Sequence, residues 1–96
     1  MAIIGFADAQ TARFFMTGSL GKGAKWQAVK AIARRKLDML HYAARLHDLA
    51  SPPGNRLEAL QGSLRGCHSI RINDQWRVVF RWTLQGPDAV RILDYH

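Results

Sequence analysis

His68-Ser-Ile-Arg-Ile-Asn-Asp-Gln-Trp-Arg-Val-Val-Phe-Arg-Trp-Thr-Leu-Gln-Gly-Pro-Asp-Ala-Val-Arg-Ile-Leu-Asp-Tyr-His96 decides the fold. Read with period two, Ile70, Ile72, Trp76, Val78, Phe80, Trp82, Val90 and Ile92 fall on one face, and Arg71, Arg77, Arg81 and Arg91 on the other. Asp74-Gln75 and Gly86-Pro87-Asp88 interrupt the runs as turns. Strands joined by such short turns are antiparallel, and an antiparallel sheet can cover a core with one face and offer the other to water or a polyanion. The stretch ends in Asp94, Tyr95 and His96, three side chains able to move protons.

Working back from this sheet, Arg56-Leu-Glu-Ala-Leu60 alternates and precedes Gly62, which predicts one more strand. Ser51-Pro-Pro-Gly-Asn55 ends whatever helix comes before it, because proline cannot continue a helix and glycine permits the reversal. From residue 24 or 26 to about 49, Trp26, Val29, Ala33, Leu37, Leu40 and Ala44 recur at three and four, with Ile32, Met39, Ala43 and Leu46 widening the stripe. That spacing predicts one long helix whose outer side carries Lys30, Arg34, Asp38, His41 and Arg45, with Arg34 and Asp38 four apart and able to pair weakly. The outer side of this helix is the expected face for a protein partner.

Thr17 to Lys25 contains Gly18, Gly21 and Gly23 and reads as a connector. Gly21-Lys22-Gly23 lacks the Gly-Lys-Ser/Thr ending and the preceding strand of a phosphate loop. Before it, Asp8 offers an N-cap for a short helix to about residue 16, and Ile3, Ile4 and Phe6 read as a first strand. Phe14 and Phe15 are adjacent, so one faces the core and the other its edge. The order β-α-α-β-β-β-β gives an α+β domain, with two helices on the apolar face of one antiparallel sheet.

A chain of 96 residues is expected to form a single domain, 1–96, around one core. Fourteen Lys and Arg against seven Asp and Glu leave a net charge of +7 and a pI near 10.6. Such a balance favours encounter with nucleic acid or an acidic protein, and ten of those fourteen are Arg, the residue suited to bidentate phosphate contact. Cys67 is the single cysteine, so an internal disulfide and multi-cysteine metal motifs are excluded. The expected compartment is the cytoplasm, since the sequence has neither an export signal nor eighteen consecutive apolar residues.

Among groups that carry chemistry, Arg77 sits in mid-strand between Trp76 and Val78, with arginines around it. Clustered guanidinium groups repel one another unless an anion neutralises them, which points to a phosphate-binding face. Glu58 shares its strand face with Arg56, where a surface salt bridge is the ordinary role. His96 titrates near neutral pH, but strict alternation puts Tyr95 on the arginine face and Asp94 and His96 on the other. A joint site requires the strand to twist or uncurl after Leu93. His68 has core parity and is expected to be a satisfied edge residue. His41 and His47, six apart, do not share a helical face, so no metal site is expected there.

Ser51-Pro-Pro-Gly-Asn-Arg-Leu-Glu-Ala-Leu-Gln-Gly62, His68-Ser-Ile-Arg-Ile-Asn-Asp-Gln-Trp-Arg77, the terminal Asp94-Tyr-His96 and the helical Ala33-Arg-Arg-Lys-Leu-Asp-Met-Leu40 resemble the HigB toxins of bacterial toxin-antitoxin modules, in the RelE/ParE superfamily. The resemblance implies a RelE-like fold and a ribosome-dependent endoribonuclease that cuts translated mRNA in the decoding site of the 70S ribosome. It also implies a helix-turn-helix antitoxin of the HigA type, operator DNA contacted only through that antitoxin, and no cofactor. Arg77 matches the family's phosphate-contacting arginine, and Asp94, Tyr95 and His96 its terminal triplet. Glu58 departs from the pattern: a HigB member has histidine there, whereas the related YoeB toxins use a glutamate as general base.

Cleavage of RNA by its own 2′-hydroxyl needs a base, a charge stabiliser and an acid. The expected assignment is Glu58 as base, Arg77 as phosphorane stabiliser and His96 as acid, with Tyr95 orienting the nucleotide and Asp94 fixing His96. Arg56, Arg71, Arg81 and Arg91 would hold RNA phosphates without reading sequence. Two rivals stand beside this reading: a ParE-like gyrase poison with the same fold and no nuclease activity, and a plain RNA-binding module.

Overall fold

In a computed structural model that describes residues 1–21 and 23–94, two helices cover one face of a four-stranded antiparallel sheet. The helices are α1 (Ala9–Thr17) and α2 (Lys30–Tyr42). The strands are β1 (Glu58–Ala59), β2 (His68–Arg71), β3 (Trp76–Thr83) and β4 (Gly86–Asp94), hydrogen-bonded in that order. The expected α+β class is the observed one.

The period-two pattern survives folding. Ile70, Val78, Phe80 and Val90 are fully buried, and Ile72, Trp76 and Ile92 nearly so. They meet Phe14, Trp26, Ala33, Leu37 and Leu40 from the helices in a single cluster. Phe14 is the inward ring of its pair and lies edge-on to Trp26, with centroids 5.0 Å apart. Phe15 stays at the edge, against Phe6 and His41, with the Arg34 guanidinium over its ring. Asp8 caps α1 by accepting from the Thr11 amide, and buried Thr11 in turn accepts from the Ile92 amide, tying α1 to β4.

Several expectations are corrected. Gly86-Pro87-Asp88 is not a turn: the chain reverses at Leu84-Gln85, and residues 86–88 begin β4, paired with Thr83, Trp82 and Arg81. Residues 3–6 do not form a strand of the antiparallel sheet: the N-terminal segment runs parallel to β4 and makes one bridge, Phe6 to Val90. β4 is irregular where this segment meets it: Ala89 takes a positive φ of 51° and an extra residue bulges the register opposite Val79 and Arg81. Next, the long helix begins at Lys30, after a 3-10 turn at Gln27–Val29, rather than at 24 or 26, and ends at Tyr42 rather than near 49. Asp48 accepts the Ala44 and Arg45 amides, each at 3.0 Å, and so takes up donors a continuing helix would have used. A 3-10 turn, Leu46–Ala50, replaces the lost length, and Ala44 is exposed instead of joining the apolar stripe.

A further correction concerns residues 56–60, of which only Glu58–Ala59 pair as a strand. Arg56 adopts a left-handed conformation, φ 46°, which breaks the alternation at its start. Ahead of it, Asn55 is fully buried: its amide donates to the Leu49 and Ser51 carbonyls, and its oxygen accepts from Lys36 Nζ at 2.6 Å. His41, expected on the outer side of the helix, is engaged within the fold: its Nδ1 accepts from the Ile3 amide at 3.2 Å. His68 lies on the internal strand β2, stacks near Phe80, and its buried Nδ1 has no hydrogen-bond partner among the described residues. It is neither at an edge nor satisfied.

Candidate active site

The second face of the sheet is set by the register. Glu58 lies opposite Ser69, Ser69 opposite Val79, and Val79 opposite Arg91, so these four make one row across the strands. In the adjacent row Arg71 lies opposite Arg77, which lies opposite Leu93. The face is therefore not uniformly wet: Ser69 and Val79 are buried within it.

Arg77 leans diagonally over β2 toward β1. Its Nη2 is 2.8 Å from Glu58 Oε1, while Nη1 donates to Ser69 Oγ at 3.0 Å and to the Arg56 carbonyl at 3.3 Å. Its side chain is 11% exposed, against 45% for Glu58, so the carboxylate forms the open side of the pair. Burial explains the number of acceptors, because a guanidinium removed from water must replace its hydration. Left-handed Arg56 supplies one through its backbone, a contribution that side-chain periodicity does not reveal. Glu58 thus pairs with Arg77 and not, as strand parity had it, with Arg56.

The remaining arginines are partly neutralised from within. Arg71 forms an ion pair with Asp74. Exposed Arg81 lies opposite Asp88 and rests on Gly66, where a Cβ would come within 2.8 Å of its Nη1. Arg91 is half-buried. The expectation that four guanidinium groups need an external anion is corrected to this extent: Glu58 and Asp74 already balance two of them.

Asp94 closes β4 opposite Trp76 and accepts from Gln75 Nε2 at 2.9 Å. Regular pairing thus persists one residue past Leu93, where a departure from the strand had been expected. Tyr95 and His96 lie outside the described residues. Of the expected set, the fold brings Glu58 and Arg77 into contact and fixes Asp94 at the end of the next strand.

Two groups escaped the sequence reading. Ser69 had odd parity, like the arginines, and that signal was available in the pattern. Lys36 is held by buried Asn55, and its ammonium titrates below the usual lysine range, first because of burial and then because Arg35 and Arg71 repel it. Nothing in helical spacing marks that contact, which depends on the turn after Pro52. Among the described residues no group of three or more His, Cys, Asp or Glu is placed to hold a metal, and no helix is long and apolar enough to cross a membrane. A shallow hollow at the start of α1, lined by Ala9, Gln10, Arg13 and Gly21, shares no residue with the Glu58–Arg77 pair.

The fold is similar to that of the solved YoeB-YefM complex from Staphylococcus aureus, with a TM-score of 0.55 and 17% identity over 100% of this chain and 99% of that one. In sequence, the model of the HigB-like toxin family, described as RelE-like toxin of type II toxin-antitoxin system HigB, matches residues 4–96, and the chain belongs to that family. It is similar to Toxin HigB-1 of Vibrio cholerae serotype O1, 52% identical over 62 residues, which are 65% of this chain and 64% of that one. The match thus spans just under two thirds of that relative's length. An uncharacterised protein of Haemophilus influenzae is 35% identical over 77 residues, 80% of this chain and 75% of that one.

Proposed function

We propose that this toxin is a ribosome-dependent endoribonuclease that cuts mRNA during translation, acts without a metal, and is held inactive by a HigA-type antitoxin. The observation that carries the reading is the Glu58–Arg77 pair, a carboxylate 2.8 Å from a guanidinium whose other edge is already fixed. Glu58 takes the proton of the 2′-hydroxyl as its oxygen attacks the adjacent phosphorus. Arg77 stabilises the doubly charged phosphorane, and the bond to the 5′-oxygen breaks as His96 protonates it. The products are a 2′,3′-cyclic phosphate and a 5′-hydroxyl.

In this reading Asp94 orients His96, and Tyr95 stacks on the nucleotide and holds it in line. Arg56, Arg71, Arg81 and Arg91 contact ribosomal RNA through phosphates, which gives position without sequence. The set of acting groups is small and Glu58 is open to solvent, so the ribosome supplies alignment of the substrate. The chain works in the cytoplasm, where ribosomes are, and the antitoxin alone contacts operator DNA.

The test uses purified protein, 70S ribosomes and a translated mRNA. Cuts that depend on ribosomes are expected, and His96→Ala should abolish them while ribosome association is retained. Trapped gyrase–DNA breaks in place of mRNA cuts would overturn the proposal.

A further inference from the structure

The contacts that Arg77 makes with Ser69, Arg56 and Glu58 divide by charge. Both acceptors on Nη1, the Ser69 hydroxyl at 3.0 Å and the Arg56 carbonyl at 3.3 Å, are neutral. The acceptor on Nη2, Glu58, carries the charge and the greater exposure. An incoming phosphate is itself an anion and competes best for the edge held by an exposed carboxylate, because the two acceptors are alike. It competes poorly at Nη1, where one acceptor is a fully buried hydroxyl and the other is backbone.

We infer that Ser69 is a positioning residue: its hydroxyl, with the Arg56 carbonyl, fixes Nη1 of Arg77 so that Nη2 alone trades Glu58 for the scissile phosphate. This rests on the nuclease reading above and adds to it. Without the seat, the guanidinium would follow Glu58 or the phosphate as a floppy pair. With it, phosphate binding releases Glu58 while Arg77 stays in place, so the base becomes available when the stabiliser engages. Ser69 acts only through Arg77 and touches no reacting atom. Ser69 is fully buried in the row between Glu58 and Val79, where its hydroxyl serves as an acceptor for Arg77.

The experiment compares wild type, Ser69→Ala and the hydroxyl-retaining Ser69→Thr, each in the full chain. Ribosome-dependent cleavage by Ser69→Ala should fall about tenfold in kcat, with KM within about twofold, because misplacement of a stabiliser affects the transition state more than binding. Ser69→Thr should recover most of the loss. In parallel, nitrogen-15 NMR of the free protein should show Arg77 Nη1–H signals slowed in rotation in wild type and averaged in Ser69→Ala. Should Ser69→Ala fail to fold, Ser69→Cys, of similar volume and weak acceptor strength, reads the same signature. Unchanged kcat together with unchanged Arg77 signals in a folded, hydroxyl-free variant would overturn the inference. If wild type cut no mRNA, the nuclease reading would fall, and the Arg77 signals would still decide whether Ser69 holds the guanidinium.

Discussion

Arginine at position 77 does what lysine could not. A planar fork reaches Ser69 and Arg56 with one nitrogen and Glu58 with another, whereas an ammonium is a single point on a flexible stem. Arg77→Lys keeps the charge and loses the fork. Cleavage by the ribosome-bound protein should therefore fall by about two orders of magnitude in kcat, with less effect on KM, in a single-turnover assay. If Glu58 is the base, as proposed, Glu58→Gln removes it while leaving a neutral acceptor of the same shape, and cleavage should fall roughly 100- to 1000-fold. Ribosome pelleting of both variants should match wild type; a loss of binding in step with activity would make the pair an anchor and not a reacting centre.

Among the elements, the break after α2 has a cause that can be titrated. The backbone hydrogen bond from Arg45 is the main reason that the Asp48 carboxyl titrates below its ordinary 3.8, with the Ala44 amide and nearby positive charge adding to it. A carboxyl whose folded value is depressed stabilises the fold above its unfolded value, and the gain disappears as pH falls through the folded one. Asp48→Ala should melt below wild type at neutral pH, and the gap should close in acid below 3.8. A gap that is constant with pH would mean that the turn is held by something other than this carboxylate. Asn55→Ala should cost about 2 kcal/mol in urea unfolding, because it strands the Leu49 and Ser51 carbonyls and Lys36 together.

These two turns also show where the sequence is legible. The hairpin strands were readable because side chains alternate and the chain has no choice of register once Ile70, Val78 and Phe80 must all be inside. The stop at Tyr42 was not, because the helical stripe continues in composition through Leu46 and only the reach of Asp48 back to two amides ends it. The Glu58–Arg77 contact lay between: each residue stood out alone, but their meeting depends on a left-handed Arg56, and no periodicity encodes that. Asp94 drew notice as part of a proton-moving end and through the resemblance, although alternation sets it on the face opposite to Arg77.

At the scale of the whole molecule, charge and position can be separated by salt. A chain with a net charge of +7 would associate with ribosomal RNA wherever its cations fell, whereas a defined face uses only some of them. Arg81 and Arg91 lie on the sheet face of the candidate site, and exposed Lys25 lies in the segment leading to α2. All three carry one positive charge, so neutralising any of them changes the net charge equally. If the sheet face meets the RNA, Arg81→Ala and Arg91→Ala should each reduce the slope of log K against log salt by about one, while Lys25→Ala leaves it nearly unchanged. Equal slopes for the three variants would mean that the toxin is held by its overall field, and the arginine face would lose its claim to orient the site.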